Sequence, residues 1–432
     1  MTTSFEIRTL VKEGRREEAA AAAARLLSDE TGTPFREVLI NDDRYSLNSV
    51  NGTAVDAEGR RLFFKFHTEE GEAETVGEYY KAHVLAEAGL PVDLPIKASS
   101  TPGRQFLLYA YRNDSKLADV CLKLETGQPA GFSPGEIVAA QAALDDATLA
   151  AALGSLAAPT AASASEALHQ LFHHRLVTPG EAHGEMGRLG GRYAQFYQGR
   201  QVPLGGETIP WEDFANLRWT VNGVAYRQTL RELFQQSYRL LEPQALARQP
   251  VVVSHGDAHN ANVWARRTAD GRLTLELFDP AFAGRTIPAL LGEIKATFHN
   301  IFAHPLWLYT PELARRAYRV SAERTGSRIV VTHDWELSDL RRQFLELKLE
   351  RYWRPLLSRL QAKQALPDDW EPMMRSALFC CPTLVMSQLP GPERSPSVSL
   401  LGFSVAVMCG SPPEEACDAV SRLFAELRRA LS

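Results

Sequence analysis

The most informative stretch of this 432-residue chain joins two apolar runs to polar residues. Val251-Val-Val-Ser leads into His255-Gly-Asp-Ala-His-Asn-Ala-Asn262, and Leu275-Glu-Leu-Phe leads into Asp279. A turn signal at Asp270-Gly271 predicts that the intervening segment is a hairpin. The hairpin should bring Asn262 and Asp279 close together, because its two strands run side by side.

These side chains are of the types that phosphoryl transfer requires. One carboxylate must orient the acceptor hydroxyl and take its proton, while an amide and a second carboxylate must hold Mg²⁺ against the nucleotide phosphates. Asp257, Asn262 and Asp279 offer two carboxylates and an amide in that order. The whole constellation favours phosphoryl transfer over a purely structural loop, although His-Gly-Asp alone would be a weak signal.

From His255 to Asn262 the sequence resembles the aminoglycoside phosphotransferase and choline kinase family, whose catalytic loop reads H-G-D-x-H-x-x-N. The resemblance covers about residues 35–112 and 250–300. It implies a kinase-like fold, with Asp257 as catalytic base and with Asn262 and Asp279 as magnesium ligands. It also implies that His255 braces the loop. His259 fits a structural role as well as a catalytic one.

A metal-dependent phosphoesterase is the alternative from another class of enzyme. Gly256-Asp257-x-His259 also resembles the metallophosphoesterases, which bind two metal ions through His and Asp. Those enzymes need an upstream D-x-H and a downstream G-N-H, and neither is found. His169 and His173 have the spacing of metal ligands on a helix, but no third ligand can be named, so a structural role is favoured.

A lysine and a glutamate in the N-terminal part fit the same resemblance. Lys65 lies in the β-type run Arg61-Leu-Phe-Phe-Lys-Phe-His67, where a lysine is unusual because this residue is depleted in strands. The resemblance implies that Lys65 contacts the nucleotide phosphates and pairs with Glu78 on the next helix. Glu74, one turn earlier, remains the alternative partner.

The expected nucleotide-binding segments are less specific. No Gly-rich string precedes Lys65, and the candidate phosphate loop is residues 43–49, with Ser46, Asn48 and Ser49 as the binding side chains. Backbone N–H groups beside short polar side chains can hold phosphate in this way. Tyr109 to Arg112, including Tyr111, should form the hinge that binds adenine. The sequence does not distinguish ATP from GTP.

The elements that would position these residues form an α+β, bilobal protein-kinase-like fold. Residues 1–110 are predicted to be a small β-rich nucleotide-binding N-lobe, with a helix over 5–28, β-type runs from Arg36 to Phe66, and a helix over Thr75–Ala88. Residues 111–432 are predicted to be a large, mainly helical catalytic and acceptor-binding C-lobe. Its expected exceptions are the 263–278 hairpin and a mobile connection over 157–164.

Composition predicts a soluble, cytoplasmic protein. Apolar residues make up 45% of the chain, charged residues 23%, and the formal net charge is -5, which argues against a nucleic-acid partner because such proteins carry a basic patch. Five cysteines without C-x-x-C spacing argue against disulfides or a zinc knuckle. Val398–Cys409 is the most apolar stretch and is too short to span a bilayer.

The resemblance leaves the acceptor open among sugars, nucleosides and antibiotics or other natural products. Residues 280–432 contain 19 Lys and Arg against 16 Asp and Glu, a net charge of +3. An enzyme for polycationic aminoglycosides should instead surround its acceptor with carboxylates. We therefore expect a neutral or weakly anionic polyhydroxyl acceptor. A nucleotide-binding regulator without turnover is a third possibility, and the complete set of expected catalytic groups weighs against it.

Overall fold

The computed structural model describes residues 2–41, 49–67, 81–99, 101–178, 189–204, 206–303, 305–415 and 417–432. Its N-terminal part is built on one antiparallel sheet and the remainder is mainly helical. This confirms the predicted α+β class with a small β-rich N-lobe and a large, mainly helical C-lobe. The boundary between residues 110 and 111 stays a prediction.

The N-lobe sheet has the strand order β1-β2-β3-β5-β4. The elements up to residue 110 are α1 (Ser4–Lys12), α2 (Arg16–Thr31), β1 (Arg36–Ile40), β2 (Ser49–Val55), β3 (Arg61–His67), α3 (Lys81–Glu87), β4 (Lys97–Ser99) and β5 (Phe106–Ala110). The three predicted β-type runs coincide with β1, β2 and β3. Helix α3 lies within the helix predicted over Thr75–Ala88, and residues 75–80 of that helix lie outside the described residues.

Two helices replace the single helix predicted over residues 5–28. Gly14 has a φ of 77°, a left-handed conformation that Gly adopts without steric cost, and it separates α1 from α2. Both helices bury apolar side chains, such as Ile7 and Leu26, together with Phe64 and Phe66 of β3. The face of the sheet that carries Phe64 is therefore covered, and the other face is left for the cavity described below.

Within the described residues, the C-lobe contains eleven strands and most of the helices. Its strands are β6 (Ser115–Lys116), β7 (Gln201–Leu204), β8 (Glu207–Pro210), β9 (Arg218–Val221), β10 (Val224–Ala225), β11 (Val251–Ser254), β12 (Val263–Arg267), β13 (Leu273–Leu277), β14 (Gly284–Pro288), β15 (Val320–Thr325) and β16 (Arg328–His333). Its helices are α4 (Leu117–Glu125), α5 (Pro134–Ser155), α6 (Gly191–Phe196), α7 (Trp211–Phe214), α8 (Leu230–Leu240), α9 (Pro243–Leu246), α10 (Ile294–Thr297), α11 (Pro305–Leu308), α12 (Pro311–Ala317), α13 (Asp339–Lys348), α14 (Arg354–Ala362), α15 (Trp370–Val385), α16 (Pro396–Gly410) and α17 (Ala419–Leu431). Short 3₁₀ turns span Ala161–Ser165, Ala167–Leu171, His173–Arg175 and Asn260–Asn262, and π-helical turns span Phe298–Phe302 and Leu349–Trp353.

The predicted hairpin is present and gains a third strand. β12 pairs with β13, and β6, which directly follows the N-lobe, pairs with the other edge of β12. A four-stranded sheet, β10-β9-β16-β15, was not predicted. In the segment predicted as a mobile connection, residues 157–164, Ala157 exchanges two backbone hydrogen bonds with Val251, and a 3₁₀ turn begins at Ala161.

Helix α5 is the one helix in the described part of the chain that is long and apolar enough to cross a membrane. Its length and composition are equally those of a core helix, and it buries Ile137, Leu144 and Ala151. It also carries the buried Asp145, whose carboxylate lies 2.5 Å from Lys348 Nζ.

Candidate active site

The loop after β11 is held by backbone conformations and contacts that its sequence dictates. Ser254 Oγ donates to the carbonyl of Gly292 at 2.9 Å and accepts from Gly256 N–H at 3.2 Å. Gly256 has a φ of 75°, and a Cβ atom there would lie 2.6 Å from the carbonyl oxygen of Phe282. Glycine is therefore required at this position for conformation and for space.

His255 connects the two halves of the motif. Its Nε2 lies 3.0 Å from the carbonyl oxygen of Phe278, and Asp257 N–H donates to its Nδ1 at 3.3 Å. A carbonyl only accepts and an amide N–H only donates, so Nε2 carries the proton and Nδ1 does not. Burial lowers the pKa of His255, which favours this neutral form. The geometry is that of a brace, as the resemblance implies.

Asp257 and Asn262 lie on opposite sides of one turn of the loop. The backbone carbonyl of Asp257 accepts from His259 N–H at 2.8 Å and from Asn262 Nδ2 at 3.0 Å. That second bond uses the amide nitrogen of Asn262 and leaves its oxygen, the atom type that Mg²⁺ prefers, for the cavity that Asn262 lines. The Asp257 side chain is only 13% exposed.

Asp279 follows β13 and contacts Lys65. It has a φ of 57°, a conformation uncommon for residues other than Gly but more often adopted by Asp and Asn. Phe278 N–H donates to the Asn262 carbonyl at 3.0 Å, so the hairpin brings Asp279 beside Asn262 as predicted. The Lys65 ammonium forms an ion pair with the Asp279 carboxylate.

Lys65 reaches the site because of strand alternation. Phe64 and Phe66 point into the core beneath α1 and α2, so Lys65 and Phe63 point to the other face. On that face Lys65 is opposite Asn51 of β2 and Leu107 of β5. The strand therefore carries the lysine into the cleft, as the sequence predicts.

One cavity of about 220 Å³ joins these groups. It is lined by residues of both lobes: Asn41, Asn51, Phe63, Lys65, Asp93, Tyr109, Ala110, Tyr111, Arg112, Lys116, Ala261, Asn262, Trp264, Phe278 and Asp279. Trp264 and Phe278 stack with ring centroids 4.3 Å apart, on the side of the hairpin. The aromatic side chains of the lining, together with Lys65 and Asp279, suit a flat base and its phosphates.

The predicted hinge lines this cavity and is held to the C-lobe hairpin. Arg112 Nη1 donates to Glu276 Oε2 at 2.7 Å, and Arg112 Nε lies 3.4 Å from Asp93 Oδ2. Burial raises the pKa of Asp93 to about 6, and the neighbouring Arg112 opposes this rise. Tyr111 N–H donates to Arg61 O at 3.3 Å, and the Arg61 guanidinium lies over the Tyr111 ring.

Four of the predicted site residues cannot be compared with the structure. Ser46, Asn48 and Glu78, together with the alternative Glu74, lie outside the described residues. Ser49 begins β2 opposite His67, and its side chain also lies outside the description. The Lys65–Glu78 pair and the phosphate loop therefore stay predictions.

Several residues of the site were missed by sequence reasoning. Asn41 donates from Nδ2 to Asn51 Oδ1 at 2.9 Å within the cavity wall, but in the sequence Asn41 is only a turn signal. Asp93 and Trp264 carry no motif. Lys295 Nζ lies 3.6 Å from Asp257 Oδ1, although its neighbours Ile294 and Phe298 are buried apolar residues.

The histidines with metal-ligand spacing are buried in the C-lobe. His169 Nε2 donates to Ser163 O at 2.8 Å, and His173 packs against Tyr238 with ring centroids 5.2 Å apart. Burial lowers the pKa of His173 to about 4. Within the described ranges, no group of three or more His, Cys, Asp or Glu side chains is arranged to hold a metal ion.

Comparisons by sequence, with family models and with curated proteins, find no match. Among solved structures, the chain is similar to small-molecule kinases. An aminoglycoside 2'-phosphotransferase-IIIa in complex with GDP is 10% identical over 95% of this chain and 98% of its own, with a TM-score of 0.39. An amicoumacin kinase bound to AMP-PNP and Ca²⁺ is 14% identical over 91% and 86%, with a TM-score of 0.38. A macrolide 2'-phosphotransferase type I is 12% identical over 83% and 95%, with a TM-score of 0.34.

Proposed function

We propose that this protein is a kinase that transfers the γ-phosphoryl group of ATP, or of GTP, to a hydroxyl group of a small molecule. The observation that carries the proposal is the convergence of Lys65, Asn262 and Asp279 on one cavity, with the loop carboxylate of Asp257 beside them. These are the parts that phosphoryl transfer requires, and they come from three separate segments of the sequence: β3, the loop after β11 and the end of β13.

In the proposed reaction, Asp257 accepts the proton of the acceptor hydroxyl. The acceptor oxygen forms a bond to the γ-phosphorus while the bond from that phosphorus to the bridging oxygen breaks, and the nucleoside diphosphate leaves with the electron pair. Asp257 is well suited to orient the hydroxyl, because His255 and Asn262 fix its backbone on both sides. Positioning and electrostatics supply most of the catalysis in such reactions.

Asn262 and Asp279 fit a magnesium site by the chemistry of their donor atoms. Both offer oxygen ligands of the kind that Mg²⁺ prefers, and the Lys65 ammonium already places a positive charge against the Asp279 carboxylate. When bound, Mg²⁺ would neutralise negative charge on the β- and γ-phosphates. Lys65 would then bind a phosphate oxygen in addition to, or instead of, Asp279.

The nucleotide would occupy the cavity between the hinge and the Trp264–Phe278 stack. Residues 1–110 would form the nucleotide-binding lobe, and residues 111–432 the catalytic and acceptor-binding lobe. A cytoplasmic location suits an enzyme that uses ATP. For the acceptor we propose a neutral or weakly anionic polyhydroxyl compound, because residues 280–432 carry a net charge of +3 and a buried lysine lies next to Asp257.

Thermal unfolding with nucleotide tests the first part of the proposal. Mg²⁺-ATP or Mg²⁺-GTP should stabilise the protein by about 2.7 kcal/mol at a concentration one hundred times its dissociation constant. Lys65→Met should reduce this stabilisation, while Lys97→Met, on the edge strand β4, should leave it unchanged. The absence of a shift with both nucleotides contradicts the kinase assignment.

A screen of hydroxylated compounds, with nucleoside diphosphate release as the readout, tests the second part. Neutral sugars and nucleosides should give higher kcat/KM than kanamycin-type polycations, since a basic acceptor region disfavours cations. A clear preference for the cations contradicts the proposed acceptor class and leaves the kinase assignment standing.

A further inference from the structure

A polar segment of the C-lobe packs directly behind the catalytic loop. Helix α10 continues into the π-helical turn Phe298–Phe302, and such turns often occur at functional sites because they change which side chains share a face. Between buried apolar residues, this segment buries Lys295, His299 and Asn300. Three polar side chains inside a core require polar partners.

Lys295 finds one of its partners in Asp257. Its side chain is 4% exposed, and its Nζ lies 3.6 Å from Asp257 Oδ1. A buried ammonium is costly unless an opposite charge compensates it. The Asp257 carboxylate provides that charge, so the buried lysine and the loop carboxylate stabilise each other.

His299 and Tyr309 fix the position of the ammonium. Lys295 donates to His299 Nε2 at 3.0 Å, so in the neutral ring Nδ1 carries the proton and donates to the Tyr309 hydroxyl oxygen at 2.8 Å. Burial, and then the charge of Lys295, hold the pKa of His299 well below its ordinary value, which keeps the ring neutral. A continuous chain of polar contacts therefore runs from Tyr309 to Asp257.

Asn300 holds the same segment against the backbone of the loop. Asn260 N–H donates to Asn300 Oδ1 at 2.8 Å. The spacing between Lys295 and Asp257 is therefore set by two neighbouring attachments and does not depend on the flexible lysine alone. Asp257 Oδ1 is sealed from solvent, so Oδ2 is the oxygen that can meet an acceptor.

We propose that Lys295 is a positioning residue for the phosphoryl transfer, holding Asp257 by Oδ1 so that Oδ2 faces the acceptor hydroxyl. This inference rests on the proposed function. Lys295 acts through Asp257, so its removal should lower kcat and leave nucleotide binding unchanged. A misplacement of a catalytic group by about 1 Å can reduce the rate by roughly 10²-fold.

The test compares Lys295→Met with a matched variant, Lys348→Met. Lys348 is also a buried lysine, but it pairs with Asp145 and Glu293. With MgATP and water as the acceptor, Lys295→Met should lower kcat roughly 10²-fold with an unchanged nucleotide dissociation constant. Lys348→Met should stay within about threefold of the wild-type kcat below its own melting temperature, because Lys348 pairs with Asp145 and Glu293 and not with the Asp257 carboxylate.

Two further measurements separate positioning from a general structural effect. In the Asp257→Asn background, Lys295→Met should cause no further loss of kcat, because residues that act as one unit are not additive. Ethylammonium or propylammonium should restore part of the kcat of Lys295→Ala, whereas K⁺ at equal ionic strength should not. An unchanged kcat in Lys295→Met, an additive loss, or equal rescue by K⁺ overturns the inference.

If the wild-type protein hydrolyses no MgATP and phosphorylates no acceptor, the proposed function fails and the positioning role fails with it, and a cycle on unfolding free energy then decides whether Lys295 and Asp257 stabilise each other. Asp257→Asn leaves Lys295 as a buried charge without compensation, so the double variant Asp257→Asn, Lys295→Met should be more stable than additivity predicts. Additive changes in unfolding free energy overturn the Lys295–Asp257 pair.

Discussion

The His255 imidazole donates from Nε2 to the backbone carbonyl of Phe278 at 3.0 Å, across the space between the two halves of the motif. Its other nitrogen accepts from the backbone of Asp257. One ring thus sets the distance between the loop that carries the base and the strand end that precedes Asp279. The positions of the proposed base, Asp257, and the proposed metal ligand, Asp279, therefore both depend on the His255 ring.

Substitution of His255 should therefore impair turnover more than nucleotide binding. His255→Leu removes both hydrogen bonds and should lower kcat by roughly 10²-fold, since small misplacements are costly in catalysis. His255→Gln can keep a donor toward Phe278 and should retain more activity. Steady-state kinetics and nucleotide titration measure both quantities. Equal activity of the two variants contradicts the bracing role.

The two aspartates of the motif should fail in different ways. Asp257→Asn should keep nucleotide affinity and lower turnover by roughly 10²–10⁴, the range for a lost general base. Asp279→Asn should also weaken binding of the Mg²⁺-nucleotide, because it removes a metal ligand. Asn tolerates the positive φ at position 279, so this variant reports on the carboxylate and not on backbone strain. Full turnover in Asp257→Asn shows that the base lies elsewhere.

Gly256 and Gly271 have similar backbone conformations. A comparison of their alanine variants therefore separates the cost of close packing around the loop from the cost of backbone strain. Gly256→Ala and Gly271→Ala both place a side chain at positive φ, which costs about 1–2 kcal/mol. Only Gly256→Ala also forces a Cβ against the Phe282 carbonyl, while Gly271 has open space around it.

Gly256→Ala should therefore lose about 1–3 kcal/mol more stability than Gly271→Ala, the usual penalty for overpacking. Urea unfolding of both variants gives the difference. If the two variants lose the same stability, the loop can move away from Phe282 without a cost in free energy, and the packing prediction is wrong.

Acid should destabilise the fold through His173. Its folded pKa of about 4 lies below the ordinary value, so the unfolded state binds more protons between the two. Its stabilising contribution is complete above about pH 6.5 and is lost as the pH falls toward 4. At about 1.4 kcal/mol per pH unit, the free energy of unfolding of the wild-type protein should fall by about 2 kcal/mol more than that of His173→Phe when the pH is lowered from 6.5 to 5. If the free energies of unfolding of the two proteins change in parallel with pH, His173 is not the source of the acid sensitivity.

Local patterns predicted the parts of the fold that depend on neighbouring residues. The strands β1 to β3 and the hairpin β12–β13 were predicted, because alternation and turn residues are visible in short windows. The parallel pairing of β9 with β16 was not predicted, since Arg218 and Arg328, 328 − 218 = 110 positions apart, pair without a connecting turn. The break at Gly14 depends on how α1 and α2 pack. The residues of this segment favour a helix throughout, so the composition alone does not indicate the break.

The candidate site was predicted to a similar extent and for the same reason. The ordered motif identified Asp257, Asn262 and Asp279, and the family resemblance together with the unusual position of a lysine in a β-type run identified Lys65. Lys295 was missed because lysine is almost always exposed, and only the packing of α10 against the loop reveals that this one is buried. Asp93 was missed because it reaches the cavity from a segment that is remote in sequence from the motif, and Trp264 was missed because a tryptophan in a strand carries no motif.

The ion pair between Lys65 and Asp279 has a consequence for the order in which ligands enter. A divalent ion arriving alone must compete with the Lys65 ammonium, which is 13% exposed, for the Asp279 carboxylate. A nucleotide arriving alone binds the ammonium but places its phosphates beside the negative Asp279 carboxylate. When both arrive together, the metal ion attracts the carboxylate and the phosphates attract the ammonium, so neither ligand meets the full opposition that it meets alone. Metal and nucleotide should therefore show positive heterotropic coupling, each raising the affinity of the other by the same factor.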